Sequence, residues 1–148
     1  MYQHILLPFD GSELSLKAVR EGIALAKSLG ARMTLITVVP PYHMGVTSSL
    51  VSGVVRDLET RHEEVSKTEA RNLHTDVVAR AKSDGVQCDS LVVMGDDLYA
   101  RIIDSALTYK CDLIVMASHG RRGLDAVLLG SETVKVLTHS KIPVLVVR

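Results

Sequence analysis

A chain of 148 residues with 47% hydrophobic and 23% charged residues has the composition of one self-sufficient globular domain, able to bury roughly 68–70% of its unfolded surface, and is too apolar to be disordered. Seventeen basic residues balance seventeen acidic ones, and one Phe with no Trp offers no base-stacking platform, so nucleic acid and anionic membranes are excluded as partners and a small ligand is indicated. MYQHILLPFD has no basic segment followed by a long apolar one, and no apolar run approaches the ~20 residues of a membrane span, which implies a soluble, cytoplasmic protein.

Ile5-Leu6-Leu7-Pro8-Phe9 is a short apolar run closed by Asp10-Gly11-Ser12, the pattern of a strand, a turn and a helix cap. The helix that follows runs to about Leu29 and ends at Gly30. Leu16, Val19, Ile23 and Ala26 form its apolar stripe, and Ser15, Ala18 and Gly22 form a small-residue face suited to close packing on a sheet. Arg32–Val39 reads as a buried strand stopped by Pro40-Pro41, and Tyr42–Gly53 as a long loop of the kind that carries function or moves. A polar helix from Val54 to Ser83 places Leu58, Val65, Leu73, Val77 and Ala81 on one side and closes at Gly85.

Val86–Met94 is a third strand, Leu98–Tyr109 a third helix and Cys111–Ala117 a fourth strand. After the loop Ser118–Leu129 come a short helix, Ser131–His139, and a last strand, Ile142–Val147. Strand and helix alternate throughout, which predicts a single domain with an open five-stranded parallel sheet, helices on both faces and a ligand beyond the carboxyl ends of the strands. Cys88 and Cys111 fall in strand-like segments without a CxxC or Cys/His cluster and read as reduced, packed thiols. His62 completes no metal-ligand spacing and is assigned to the surface, and Asp96-Asp97 reads as a turn and helix cap.

The segment that carries chemistry is Ala117-Ser118-His119-Gly120-Arg121-Arg122-Gly123, followed by Leu129-Gly130-Ser131. Glycines after a strand let backbone N–H groups turn toward one point, and Gly130-Ser131 opens a helix whose unsatisfied amides attract an anion. Phosphate suits such a cradle, with the Ser131 hydroxyl and Arg121 beside it; a plain helix cap and solvated arginines are the simpler alternative. His119 has two readings, a phosphate contact or a cap for its own loop. No Ser–His–acid order, GxxxxGK[ST] loop or metal-holding carboxylate set is present, so no catalytic residue is assigned.

PFDGSE, ASHGRRG, LLGS and the closing KIPVLVVR resemble the universal stress protein family over essentially the whole chain. Its ATP-binding members carry GxxGx9G followed by Ser or Thr, and this sequence keeps the spacing through Gly120, Gly130 and Ser131 with Ala117 in place of the first glycine. Alanine is costly there if its φ is positive and cheap if it is negative. The resemblance implies a Rossmann-like fold that binds ATP or another adenine nucleotide, with Mg2+ held through the phosphates and water. Asp10 would lie beside the nucleoside, a helix N-cap being its other reading, and the Val38 backbone would meet adenine. It also implies a homodimer, which the uncharged last strand would form by pairing with its mate, and a regulatory stress-response role toward an unidentified protein partner. Two other readings stand beside it: a dimeric interaction protein that has lost its ATP site, and an enzyme that hydrolyses ATP slowly, akin to the ATP pyrophosphatases.

Overall fold

The computed structural model describes residues 1–43, 45, 52–120 and 129–148. The elements follow the predicted alternation: β1 (His4–Pro8), α1 (Glu13–Leu29), β2 (Arg32–Val39), α2 (Ser52–Ser83), β3 (Cys88–Met94), α3 (Leu98–Thr108), β4 (Leu113–Ala117), α4 (Ser131–His139) and β5 (Val144–Val147). The strands form one parallel sheet in the order β3-β2-β1-β4-β5, as the alternation required. From β1 the chain steps outward to β2 and β3, then crosses back to add β4 and β5 on the other side. The crossover direction therefore changes between β1 and β4, and a crevice opens there at the strands' carboxyl ends. Among the described residues no helix is long and apolar enough to cross a membrane.

Alternate strand residues feed two cores. Ile5, Leu7, Met33, Leu35 and Val115 pack with α1 and α2 on one face, while Leu6, Ile36, Ile114 and Met116 pack with Ile102 of α3 and Val136 of α4 on the other. Both faces are covered, which explains why the strands read as continuous apolar runs rather than alternating ones. Helix α1 begins where Ser12 caps it, its hydroxyl accepting the Ser15 N–H at 3.2 Å. The small-residue face is the buried one: a Cβ on Gly22 would stand 2.5 Å from Leu7 Cδ1, so the helix rides directly on β1. Of the predicted apolar stripe, Val19, Ile23 and Ala26 are buried beside Ser15, Ala18 and Gly22, whereas Leu16 is exposed.

Helix α2 also departs from its predicted stripe. Val77 and Ala81 are buried, but Leu58, Val65 and Leu73 are exposed, and the residues facing the sheet are Ala70, His74, Val77 and Ala81. His74 lies level with Thr37, two residues short of the end of β2, so at 1.5 Å per residue most of the helix before it outruns the sheet; there Leu58 and Val65 are exposed, while Val55 is buried. His62 is on the surface as expected, its ring 4.2 Å from that of Tyr42. Cys88 and Cys111 are free thiols, and burial pushes both up to about 11, which keeps them protonated and unreactive.

Candidate functional site

The turn after β1 is set by Asp10, whose Oδ1 accepts the Ser12 N–H at 2.9 Å. Asp10 is therefore not the helix cap, a role held by Ser12, and its side chain is left on the wall of a cleft at the crossover point. Facing it is the loop after β4. A Cβ on Gly120 would stand 2.6 Å from Asp10 Oδ2, so the loop runs close against the carboxylate and a side chain there would push it aside. Ala117, the last residue of β4, is buried and lines the same cleft, and its φ is not positive. Alanine in place of glycine thus adds one methyl without backbone strain.

Ser118 and Gly130 close the loop on itself. Gly130 N–H donates to the Ser118 carbonyl at 2.8 Å, and a Cβ on Gly130 would meet His119 Cβ at 3.0 Å and His119 Cα at 3.2 Å. His119 lines the cleft with its Nδ1 3.1 Å from the Ser118 hydroxyl. Thr133 of α4 donates its hydroxyl to the Ala117 carbonyl at 3.1 Å, pinning the start of the helix to the end of β4. Val134 N–H is the first in α4 to bond back, to the Gly130 carbonyl at 3.0 Å. The amides of Ser131, Glu132 and Thr133 consequently have no acceptor within the helix, and with the positive end of its dipole they suit an anion.

Val38 joins the wall from the carboxyl end of β2, beside Ile36, and α3 adds Leu98 and Ile102, so the far side of the cleft is apolar. The structure therefore brings Asp10, Val38, Ala117, His119 and Gly120 onto one cleft, with Gly130 directly behind His119. Ser131 opens α4 at an exposed position, while its neighbours Glu132 and Thr133 face the cleft. Arg121, Arg122 and Gly123 lie outside the described residues. Among the described residues no three His, Cys, Asp or Glu side chains converge as a metal site would require.

Sequence reasoning missed Thr37, Leu98, Ile102, Glu132 and Thr133 on this wall, and His74 behind it. Glu132 carried one signal, an acid in the first turn of a helix. His74 is only 1% exposed and joins three elements. Thr37 donates its hydroxyl to the Phe9 carbonyl at 2.5 Å, so its oxygen accepts from His74 Nε2 at 2.8 Å, and His74 Nδ1 accepts the Ser90 hydroxyl at 2.6 Å. That chain of donors assigns the neutral Nε2–H tautomer. Burial lowers the His74 pKa to about 4, which keeps the ring neutral at pH 7.

Comparison with known proteins bears on what this cleft serves. Universal stress protein YxiE of Bacillus subtilis (strain 168) is 31% identical over 155 residues, spanning all of both chains. The solved structure of MJ0577, a universal stress protein of Methanocaldococcus jannaschii, shares the fold with a TM-score of 0.84 and 28% identity, over 99% of this chain and 96% of that one. A universal stress protein from Archaeoglobus fulgidus, solved in complex with dAMP, shares the fold at a TM-score of 0.69 and 17% identity, over 99% of this chain and 98% of its own. The family model of the universal stress proteins matches residues 1–148, and the chain belongs to that family.

Proposed function

We propose that this protein is a regulatory stress-response module that binds an adenine nucleotide, ATP or a shorter relative, in the cleft between β1 and β4 and acts as a homodimer. One observation carries the reading: a single cleft joins an apolar wall of Ile36, Val38, Leu98 and Ile102 to the Asp10 carboxylate, the Gly120 turn and the first turn of α4, whose opening amides have no acceptor within the helix. A base fits the first, a ribose hydroxyl the second and phosphates the last. A divalent cation such as Mg2+, when present, would be held by phosphate oxygens and water. The Archaeoglobus fulgidus protein of the same fold, solved in complex with dAMP, supports the reading.

The experiment is calorimetric titration of nucleotide-stripped protein with ATP and with AMP, with and without magnesium, beside Gly130→Asp. The new side chain would press on His119 and place a negative charge beside the α4 amides. Saturable binding by wild type, weakened at least tenfold in G130D, is the expected result. A folded wild type that binds neither nucleotide would favour the second reading, a dimeric interaction protein without a nucleotide. The position of β5 at the end of the sheet, where Leu145 is 43% exposed, supports the dimer under either reading.

A further inference from the structure

Where β1 ends, the backbone of β2 is left facing the cleft. Positions two apart on a strand direct their backbone groups to the same neighbour. In β2 the even positions face β1: Arg32 N–H donates to the Gln3 carbonyl at 3.0 Å, and the Ile36 carbonyl accepts the Phe9 N–H at 2.8 Å. Val38 therefore faces the same side, but the β1–β2 pairing stops at Pro8 and Ile36. The next bond of a parallel ladder would run from the Val38 N–H to the Phe9 carbonyl. That carbonyl accepts the Thr37 hydroxyl at 2.5 Å, so a side chain closes the ladder and Val38 borders the crevice.

That hydroxyl is aimed by α2, from the face of the sheet opposite the apolar wall. Thr37 Oγ1 accepts from His74 Nε2 at 2.8 Å, and His74 Nδ1 accepts the Ser90 hydroxyl at 2.6 Å. Every donor points the same way, from β3 through α2 and β2 to the Phe9 carbonyl. With His74 buried, the Thr37 hydroxyl cannot turn away without leaving an N–H unmatched in the core. Phe9 and Thr37 line the cleft, one just before Asp10 and the other just before Val38. The relay thus ties the ends of β1 and β2 together at the point where the cleft opens.

We propose, resting on the nucleotide reading above, that His74 is a positioning residue for the ligand's base. Held by Ser90, it keeps the Thr37 hydroxyl on the Phe9 carbonyl and so sets how far the Val38 backbone stands from the end of β1. A base bonded to that backbone needs this spacing. A phosphate on the α4 amides does not, because α4 packs on the other face of the sheet, where Thr133 pins it to the Ala117 carbonyl of β4. His74 itself does not line the cleft and acts only through Thr37. Misaligning one hydrogen bond to the base corresponds to about a tenfold loss of affinity.

The test is an NMR titration of wild type, Thr37→Val, His74→Leu, His74→Gln and Ser90→Ala with AMP and with ribose 5-phosphate, which lacks only the base. T37V and H74L are expected to bind AMP about tenfold more weakly and ribose 5-phosphate as wild type does. H74Q, whose amide can donate to Thr37 and accept from Ser90, should recover most of the AMP affinity. Ser90 is exposed on β3, so S90A keeps the fold and should still weaken AMP, by roughly threefold. In wild type the His74 ring nitrogens should shift on saturation with AMP and stay unmoved with ribose 5-phosphate. Equal losses for both ligands, or AMP affinity unchanged in T37V, H74L and S90A, would reduce His74 to a stability role and overturn the proposal alone. An H74Q no better than H74L would do the same, by placing the effect in packing rather than in the relay. Wild type that binds neither ligand defeats the nucleotide reading and this proposal together.

Discussion

At the scale of single residues, His74 has the most to lose. Removing its ring in His74→Ala leaves a cavity between α2 and the sheet and strips the Thr37 and Ser90 hydroxyls of a partner, a combination expected to cost about 2–4 kcal/mol in urea denaturation. The same ring makes stability depend on pH. Its folded pKa, about 4, lies below the ordinary 6.5, so between those values the unfolded chain binds a proton that the folded one refuses. Stability is full above about pH 6.5 and falls as pH drops toward 4, by roughly 3 kcal/mol from this group. Burial also lowers the pKa of His4, which adds a slope of the same sign. The urea midpoint should therefore fall between pH 7 and pH 4.5, and His74→Gln, which cannot titrate, should flatten the curve. An unchanged slope in that variant would remove His74 as its source. Nothing in the one-dimensional pattern marked this residue, because a histidine flanked by Leu73 and Thr75 on a polar helix looks like a solvated position. Only its spacing of four from Ala70 and three from Val77 places it on the buried stripe.

At the scale of elements, the start of α1 shows how a cap and a site share one turn. Ser12 provides the side-chain cap, whereas Asp10 is held by the Ser12 backbone N–H. Ser12→Ala keeps that backbone donor and loses only the cap, so it should lower stability by about 1 kcal/mol, roughly 3 °C in melting temperature, and leave Asp10 in place. A much larger loss in calorimetry would mean that the turn itself had collapsed. The strands, α1, α3 and α4 were legible because their apolar runs are compact and most of them stop at a Gly or Pro that also ends the element, as at Gly30, Pro40 and Gly95. The stripe of α2 was not, since Leu58 and Val65 recur at helical spacing but lie on a segment that extends past the strand ends, where spacing carries no information about what is there to pack against. The same limit applies to the site. Gly120 and Gly130 could be found by their spacing, but Leu98, Ile102 and Glu132 reach the cleft only because α3 packs beside α4, a long-range contact with no local signature.

At the scale of the molecule, the two edges of the sheet differ in a way that bears on assembly. An open edge strand is a template for pairing, and proteins that stay monomeric defend it with charge, proline or cover. The β3 edge carries the exposed Asp89 and Ser90 and is packed by α2. The β5 edge, Val144-Leu145-Val146-Val147, has neither charge nor proline within it, and exposed Leu137 and Val134 of α4 add apolar surface nearby. Pairing of β5 with its mate across a two-fold axis would extend the sheet through the outer backbone groups of β5 and bury Leu145 on both copies, whereas β3 offers no such gain. Light scattering of the full chain should therefore report a dimer that dissociates on dilution. Leu145→Lys, which sets two like charges together across the axis, should shift it to monomer at the same concentration, while Asp89→Asn should leave the mass unchanged. A mass that stays monomeric at every concentration, or a dimer indifferent to L145K, would detach assembly from this edge and leave the cleft of each chain to act alone.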